Sequence, residues 1–168
     1  MPSDTVTTLA TLVGAKLKAK GLMLATAESC TGGWVAQAVT AIAGSSDWFE
    51  RGFVTYSDAA KQEMLAVSAR TLAAYGAVSE ETASEMAAGA LAHSRAQVAV
   101  AITGIAGPTG GSPEKPLGMV CFAWAVKDGP LNSEMRQFEG GRESVRRQAV
   151  IAALQGMLKL LEAGPGLA

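Results

Sequence analysis

Short apolar segments alternate with helical patterns along this 168-residue chain, and this alternation constrains its fold most strongly. The predicted strands cover residues 22–25, 53–56 and 98–103, followed by a hairpin of 118–126 and 133–138. Helical patterns precede the strands, lie between them and close the chain. Strands interleaved with helices are typical of a mixed sheet covered on both faces. The predicted fold class is therefore α/β, a three-layer α/β/α domain with a five-stranded mixed sheet.

Polar residues directly before apolar helical patterns predict where several helices begin. Ser3 or Asp4 is the expected cap of the first helix, and Asp58 is that of a helix with Lys61 in its first turn. Two further helices, opened by Ser68 and Ser79, are predicted over residues 69–75 and 80–95. This pattern places Lys61 close to the end of a strand.

Length and composition predict one globular domain over residues 1–168, because 49% of the residues are hydrophobic and only 17% are charged. The net charge of -1 argues against a nucleic-acid partner. The chain shows no signal-peptide pattern and no apolar run of about 18 residues, so we expect a cytoplasmic protein without a membrane partner. Two Cys and one His form no zinc spacing, although carboxylates alone could hold magnesium. We expect no metal and no cofactor.

The segment 28–33, Glu-Ser-Cys-Thr-Gly-Gly, joins the first predicted strand to a helix. Functional groups of open α/β sheets gather in loops beyond the strand ends. Ser29 lies just before a helix start, whose free N–H groups can hold a phosphate or an oxyanion. In the structural alternative, Ser29 or Thr31 caps the helix and the glycines let the backbone turn. Cys30 is an alternative nucleophile, although an isolated cysteine is more often simply buried.

A serine nucleophile needs a base, and the sequence offers Lys61 rather than a histidine. The only histidine, His93, falls late in an Ala-rich helix, so a Ser-His-Asp triad is not expected. A buried lysine amine can lose its proton well below its usual pKa of about 10.4. The alternative for Lys61 is a solvated helix position. Tyr56, at a strand end, could bind the base or the substrate, or be an ordinary strand aromatic.

Two glycine-rich segments could bind an anion. Thr103 and Gly104 begin the segment 104–113, whose exposed N–H groups could hold a phosphate, although it has neither a GxGxxG nor a Walker pattern. A second pair of glycines precedes Arg142, which could contact a phosphate at a helix start. In the alternative, Arg142 lies with Arg146 on a solvated first turn.

Five segments, taken together and in unbroken order, resemble the CinA C-terminal domain family. They are Ala27–Gly33, Gly44–Ser46, Val54–Ser57 with Lys61, Tyr75–Ser79 and Thr103–Pro108. Members of that family convert nicotinamide mononucleotide and water to nicotinic acid mononucleotide and ammonia through a Ser-Lys pair. The resemblance implies a three-layer α/β/α amidohydrolase of pyridine nucleotide recycling, with a small-molecule nucleotide as substrate.

The same resemblance implies roles for individual residues. Ser29 is the nucleophile, Lys61 its base and Tyr56 an active-site hydroxyl able to orient one of them. The implied substrate-binding residues are Thr31, Gly32, Gly33, Thr103 and Gly104 around the acyl site, and Arg142 at the phosphate. The sequence departs from the family pattern at Asp58, where Asn is expected, and at Thr109 in the Gly-rich loop.

Two other functions stay open at this point. A phosphate-ligand binding module would use the same glycine-rich turns without turnover, with Lys61 protonated. An interaction partner of DNA-uptake or repair machinery is suggested only by the family's naming. The number of copies in the assembly also stays open, with a homodimer or homotrimer among the options.

Overall fold

The computed structural model describes residues 4–163, which form six α-helices and five strands. The helices are α1 (Asp4–Lys20), α2 (Trp34–Thr40), α3 (Asp58–Leu65), α4 (Ala69–Tyr75), α5 (Glu80–Ala92) and α6 (Arg142–Glu162). The strands are β1 (Leu24–Glu28), β2 (Phe49–Val54), β3 (Val98–Gly104), β4 (Met119–Val126) and β5 (Leu131–Gln137). A short 3-10 helix, Ser45–Asp47, precedes β2. No helix within this described range combines the length and the apolar character needed to cross a bilayer.

The five strands form one mixed sheet in the order β2-β1-β3-β4-β5. β1 pairs in parallel with both β2 and β3, and β4 and β5 complete the sheet as an antiparallel hairpin. α1, α2 and α6 cover one face of the sheet, and α5 covers the other with α3 and α4 beside it. The predicted three-layer α/β/α fold with a five-stranded mixed sheet is confirmed.

The sheet face beneath α5 consists mainly of small side chains. Its residues from β1, β3 and β4 are Ala25, Ala27, Ala99, Ala101, Ala123, Ala125 and Cys121. Small side chains let a helix lie close to a sheet. α5 also lies so close to α3 that Gly89 has no room for a side chain. A Cβ atom at Gly89 would lie 2.0 Å from the carbonyl oxygen of Leu65, the last residue of α3. α5 thus holds α3, which carries Lys61, against the sheet.

The opposite face carries larger side chains, which pack against α1 and α6. Phe122 and Trp124 of β4 stack with their ring centroids 5.5 Å apart. The Trp124 indole donates a hydrogen bond to the carbonyl oxygen of Ala153 in α6, with a donor–acceptor distance of 3.0 Å. These contacts fix α6, whose first turn reaches the same edge of the sheet as the end of β1.

The boundaries of three predicted strands are wrong. β5 was expected at residues 133–138 but spans Leu131–Gln137. β1 was expected at residues 22–25 but extends to Glu28, because the Glu28 carboxylate is satisfied by N–H groups of α2 inside the fold. β2 was expected at residues 53–56 but begins at Phe49. β2 is an edge strand, and edge strands tolerate polar side chains. Its polar residues interrupt the apolar pattern from which a strand is predicted.

Two of the predicted helix caps are confirmed, and one is wrong. The hydroxyls of Ser68 and Ser79 accept hydrogen bonds from helix N–H groups, which confirms both caps. The prediction of Asp58 as a cap is wrong: Ser57 caps α3 by accepting from the Ala60 N–H at 3.0 Å, and Asp58 is the first helical residue. Ser3 lies outside the described residues. α5 ends at Ala92 rather than at residue 95, because His93 caps it by contacting the Gly89 carbonyl.

Gly89→Ala should lower the free energy of unfolding by about 1–3 kcal/mol, because the added methyl group meets backbone rather than a movable side chain. Thermal or urea unfolding measures this loss. Gly141→Ala is the matched control, since Gly141 has a φ of -78° and open space around its Cβ position. Equal destabilisation in both variants would contradict the close packing of α3 and α5.

Candidate active site

The ends of three parallel strands meet at one edge of the sheet. Ser29 follows β1, Tyr56 lies two residues beyond β2, and Gly104 ends β3. The register places Glu28 opposite both Val54 and Ile102, so these ends lie side by side. A cavity of about 180 Å³ opens there. Six predicted site residues line it: Ser29, Tyr56, Lys61, Thr103, Gly104 and Arg142.

Lys61 is buried, with 1% of its surface exposed, and its amine contacts three oxygen atoms. Its Nζ atom lies 3.1 Å from the Ser29 Oγ, 3.1 Å from the Thr55 carbonyl oxygen and 3.2 Å from the Tyr56 carbonyl oxygen. Carbonyl oxygens can only accept hydrogen bonds. A neutral amine would therefore give both hydrogens to the two carbonyls and turn its lone pair toward the Ser29 hydroxyl.

The environment of Lys61 favours that neutral amine. Burial lowers the pKa of Lys61 below its ordinary value, because an apolar environment disfavours the charged ammonium. The negative charge of Asp58 opposes this shift without cancelling it. The geometry and the direction of the shift together allow Lys61 to accept a proton from Ser29.

Cys30, the alternative nucleophile, lies in an environment that suppresses thiol reactivity. Burial, followed by the charge of Glu28, raises the pKa of the Cys30 thiol to about 12. The thiolate is the reactive form of cysteine, so this shift leaves the thiol inert near neutral pH. The Cys30 sulfur instead packs against Gly104, where a Cβ would lie 3.1 Å from it.

Thr31, Gly32 and Gly33 were predicted to bind substrate, but they are not among the residues that line the cavity. Thr31 is fully buried, and its hydroxyl donates to the Glu28 carboxylate at 2.6 Å. The glycines instead form the turn, with φ values of 60° and 103° that side chains rarely adopt. The structure therefore gives these three residues a role in shaping the turn that follows Ser29.

Tyr56 and Arg142 form the rim of the cavity. The Tyr56 hydroxyl contacts the Arg142 guanidinium at 3.2 Å rather than Ser29 or Lys61, and the Tyr56 ring is largely exposed. Arg142 also donates to the Gly107 carbonyl oxygen at 2.8 Å, which ties the first turn of α6 to the glycine-rich loop. Inside the cavity, the Thr103 hydroxyl donates to the Ala77 carbonyl oxygen at 2.8 Å.

Two residues that the sequence analysis did not predict, Glu28 and Arg146, hold the turn after β1. Arg146 donates to the carbonyl oxygens of Cys30 and Thr31 at 3.0 and 3.1 Å, and its guanidinium lies 5.7 Å from the centre of the Trp34 ring. In the alternative interpretation of the sequence, Arg146 lay with Arg142 on a solvated first turn, whereas the structure shows both donating to backbone carbonyls. An arginine one helical turn after Arg142 was the available signal, because both then share a helix face.

A larger cavity of about 660 Å³ lies between the start of α5 and β5, and it shares only Val78 with the first. Three of its charged groups already have partners: Glu80 binds Ser133, Glu85 binds Thr71, and Lys115 binds the Tyr75 carbonyl. Within residues 4–163, no three His, Cys, Asp or Glu side chains are grouped to hold a metal ion. The smaller cavity, with its Ser29–Lys61 pair, is therefore the candidate active site.

The sequence model of one protein family, described as CinA C-terminal domain, matches residues 6–161. The chain is 58% identical to the nicotinamide-nucleotide amidohydrolase PncC of Enterobacter agglomerans, over 88% of this chain and 90% of that protein. It is 53% identical to the protein of the same name from Pseudomonas putida, over 94% and 98% of the two chains. These matches span nearly the whole of each relative.

A solved structure with the same fold is that of the competence/damage inducible protein CihA from Agrobacterium tumefaciens. The TM-score is 0.90 at 49% sequence identity, and the match covers 94% of this chain and 95% of that one. The arrangement of helices and strands described above is thus shared with an experimentally determined relative.

Lys61 should titrate at lower pH than the exposed lysines, because burial disfavours its charged form. In protein labelled with ¹³C at the lysine Cε atoms, NMR should show one resonance with a lowered apparent pKa. A Lys61→Met variant should lack that resonance, which assigns it to Lys61. If all lysine signals titrate together near pH 10.5, the proposed neutral amine is wrong.

Proposed function

Because this chain belongs to the CinA C-terminal domain family, we propose that it hydrolyses the carboxamide of nicotinamide mononucleotide to nicotinic acid mononucleotide and ammonia. The observation that carries the proposal is the buried contact of 3.1 Å between the Lys61 Nζ and the Ser29 Oγ beside a cavity. The names of the PncC relatives support the choice of substrate.

In the proposed first step, Ser29 attacks the carboxamide carbon. Neutral Lys61 accepts the hydroxyl proton as the Oγ–carbon bond forms, and negative charge moves to the carboxamide oxygen. We assign the N–H of Cys30, in the turn directly after Ser29, to that oxyanion. Lys61 then gives its proton to the amide nitrogen, the carbon–nitrogen bond breaks, and ammonia leaves.

The second half of the reaction repeats these roles with water. Lys61, neutral again, removes a proton from a water molecule that attacks the Ser29 ester. The ester bond breaks, the proton returns from Lys61 to the Ser29 oxygen, and the carboxylic acid product leaves. No step requires a metal ion, because the attacking oxygen in the first step belongs to a side chain and Lys61 activates the water in the second.

The size of the cavity determines how the substrate lies in it. Pockets that enclose drug-sized ligands measure about 300–1,000 Å³, whereas this cavity measures about 180 Å³. It can enclose the pyridine carboxamide, and the ribose phosphate then extends past the rim. Arg142 on that rim is the cationic group that we assign to the phosphate.

Ser29→Ala and Lys61→Ala should each abolish nearly all ammonia release from nicotinamide mononucleotide, and the double variant should be scarcely worse. Lys61 acts only by moving protons to and from groups that react with Ser29, so the two effects are not additive. Ammonia and nicotinic acid mononucleotide are measured together and should appear in equal amounts. If the wild-type protein binds the nucleotide without releasing ammonia, it is a binding module rather than an enzyme.

Lys61→Arg tests whether residue 61 acts as a base or only as a positive charge, since a guanidinium keeps its proton throughout the pH range of the assay. This variant should fold and remain inactive. Cys30→Ala should retain much of the activity, because its thiol has no part in the proposed steps. Near-normal turnover in Lys61→Arg, or loss of turnover in Cys30→Ala, would show that the nucleophile and base are assigned wrongly.

Arg142→Ala should raise KM for nicotinamide mononucleotide much more than KM for nicotinamide riboside, which has no phosphate. Loss of one charge-assisted hydrogen bond costs about 1.5–3 kcal/mol, or roughly a 10- to 150-fold increase in KM if KM follows binding. Arg147→Ala, on the same helix but not lining the cavity, is the control. Equal effects of Arg142→Ala on both substrates would exclude it as the phosphate contact.

A further inference from the structure

We propose that Glu28 is a positioning residue for this reaction, because its carboxylate holds the turn that carries Ser29 at the distance Lys61 requires. Glu28 is 1% exposed and directly precedes Ser29, yet no step of the proposed mechanism uses it. The inference rests on the proposed function for its kinetic test, and a substrate-independent measurement below separates the two.

The Glu28 side chain joins the end of β1 to the start of α2. One carboxylate oxygen accepts from the Thr31 hydroxyl at 2.6 Å and from the Val35 N–H at 2.9 Å. The other accepts from the Ala36 N–H at 3.0 Å. N–H groups in the first turn of a helix lack helical partners, and the cap position here is Gly33, which has no side chain to bind them. Glu28 therefore binds the N–H groups that a capping side chain would otherwise bind.

The Glu28 backbone joins the same turn to the segment that orients Lys61. Its carbonyl oxygen accepts from the Thr55 N–H at 2.8 Å. The carbonyl oxygens of Thr55 and Tyr56 in turn accept from the Lys61 amine. One residue is thus bonded through its side chain to the turn that follows the nucleophile and through its backbone to the segment that holds the base.

A carboxylate is the group that suits these three donors. Both of its oxygens accept hydrogen bonds, whereas an amide has one accepting oxygen and an NH₂ group that would face another donor. The hydrogen bonds of Glu28 therefore define a positioning role, and the pH profile of a Glu28 variant separates that role from an effect of its charge.

Glu28→Gln keeps the size of the side chain and tests this directly. We expect kcat for nicotinamide mononucleotide to fall roughly 10- to 100-fold, because a small misplacement of reacting groups has effects of that size. KM should change by less than about twofold, since the rim is untouched. The acid limb of the kcat–pH profile should keep its wild-type midpoint. A moved midpoint would show that Glu28 acts through charge, and would overturn the proposal.

Matched variants keep the test valid if Glu28→Gln fails to fold. Thr31→Val removes one of the three donors and should also lower kcat, whereas Thr31→Ser keeps the hydroxyl and should restore most of the loss. Glu63→Gln, on the exposed face of α3, should leave kcat and the melting temperature unchanged. If Thr31→Val and Glu28→Gln both turn over within twofold of the wild type, Glu28 has no positioning role.

Labelling with an alkyl fluorophosphonate measures Ser29 without the nucleotide. The Ser29 Oγ attacks phosphorus, Lys61 takes its proton, the phosphorus–fluorine bond breaks, and fluoride leaves. Glu28→Gln should slow this labelling at least 10-fold, because it depends on the same contact between Ser29 and Lys61. If the wild type is labelled but does not hydrolyse the nucleotide, and the variant is labelled slowly, only the proposed substrate is refuted. Equal labelling rates in variant and wild type would refute the role of Glu28.

Discussion

The burial of the Lys61 amine is the constraint on which the candidate active site depends. An amine removed from water must find hydrogen-bond partners within the protein, and Lys61 finds three at the ends of two neighbouring strands. Two are carbonyls that follow β2, and the third is the hydroxyl that follows β1. A shift of one residue in the parallel pairing of these strands would turn their side chains to the opposite faces. The site therefore requires the register in which Glu28 lies opposite Val54.

The two faces of the sheet contribute different halves of that site. On the alanine-rich face, close packing of α5 against α3 brings Lys61 and the segment at Ala77 to the strand ends. On the face with large side chains, the stacked rings of β4 fix α6, and α6 brings Arg142 and Arg146 to the same edge. The small face positions Lys61, and the large face positions Arg142 at the rim of the cavity and Arg146 against the turn after β1.

The sequence predicted the Ser29–Lys61 pair because both residues fall near predicted strand ends, and parallel strand ends meet whatever their detailed boundaries. It could not predict which atoms of Tyr56 matter, since the contact with Lys61 comes from the backbone carbonyl. It could not predict the hydrogen bond of Thr31 to Glu28 either, because spacing does not show which side of a turn a hydroxyl faces. Glu28 left a signal that was overlooked: a carboxylate at a strand end before a helix whose cap is Gly33, which has no side chain.

Ser29 and Cys30 are neighbours, and a thiolate is the stronger nucleophile, so the residue types alone do not explain why Ser29 is the proposed nucleophile. The burial of Lys61 and Cys30 explains it. Burial disfavours whichever form of a group is charged. For Lys61 the charged form is the protonated one, so burial lowers its pKa and favours a base. For Cys30 the charged form is the deprotonated one, so burial raises its pKa and keeps the thiol inactive. In the proposed mechanism, the same burial thus makes Lys61 a base that activates the Ser29 hydroxyl, and it keeps the adjacent Cys30 thiol protonated and unreactive.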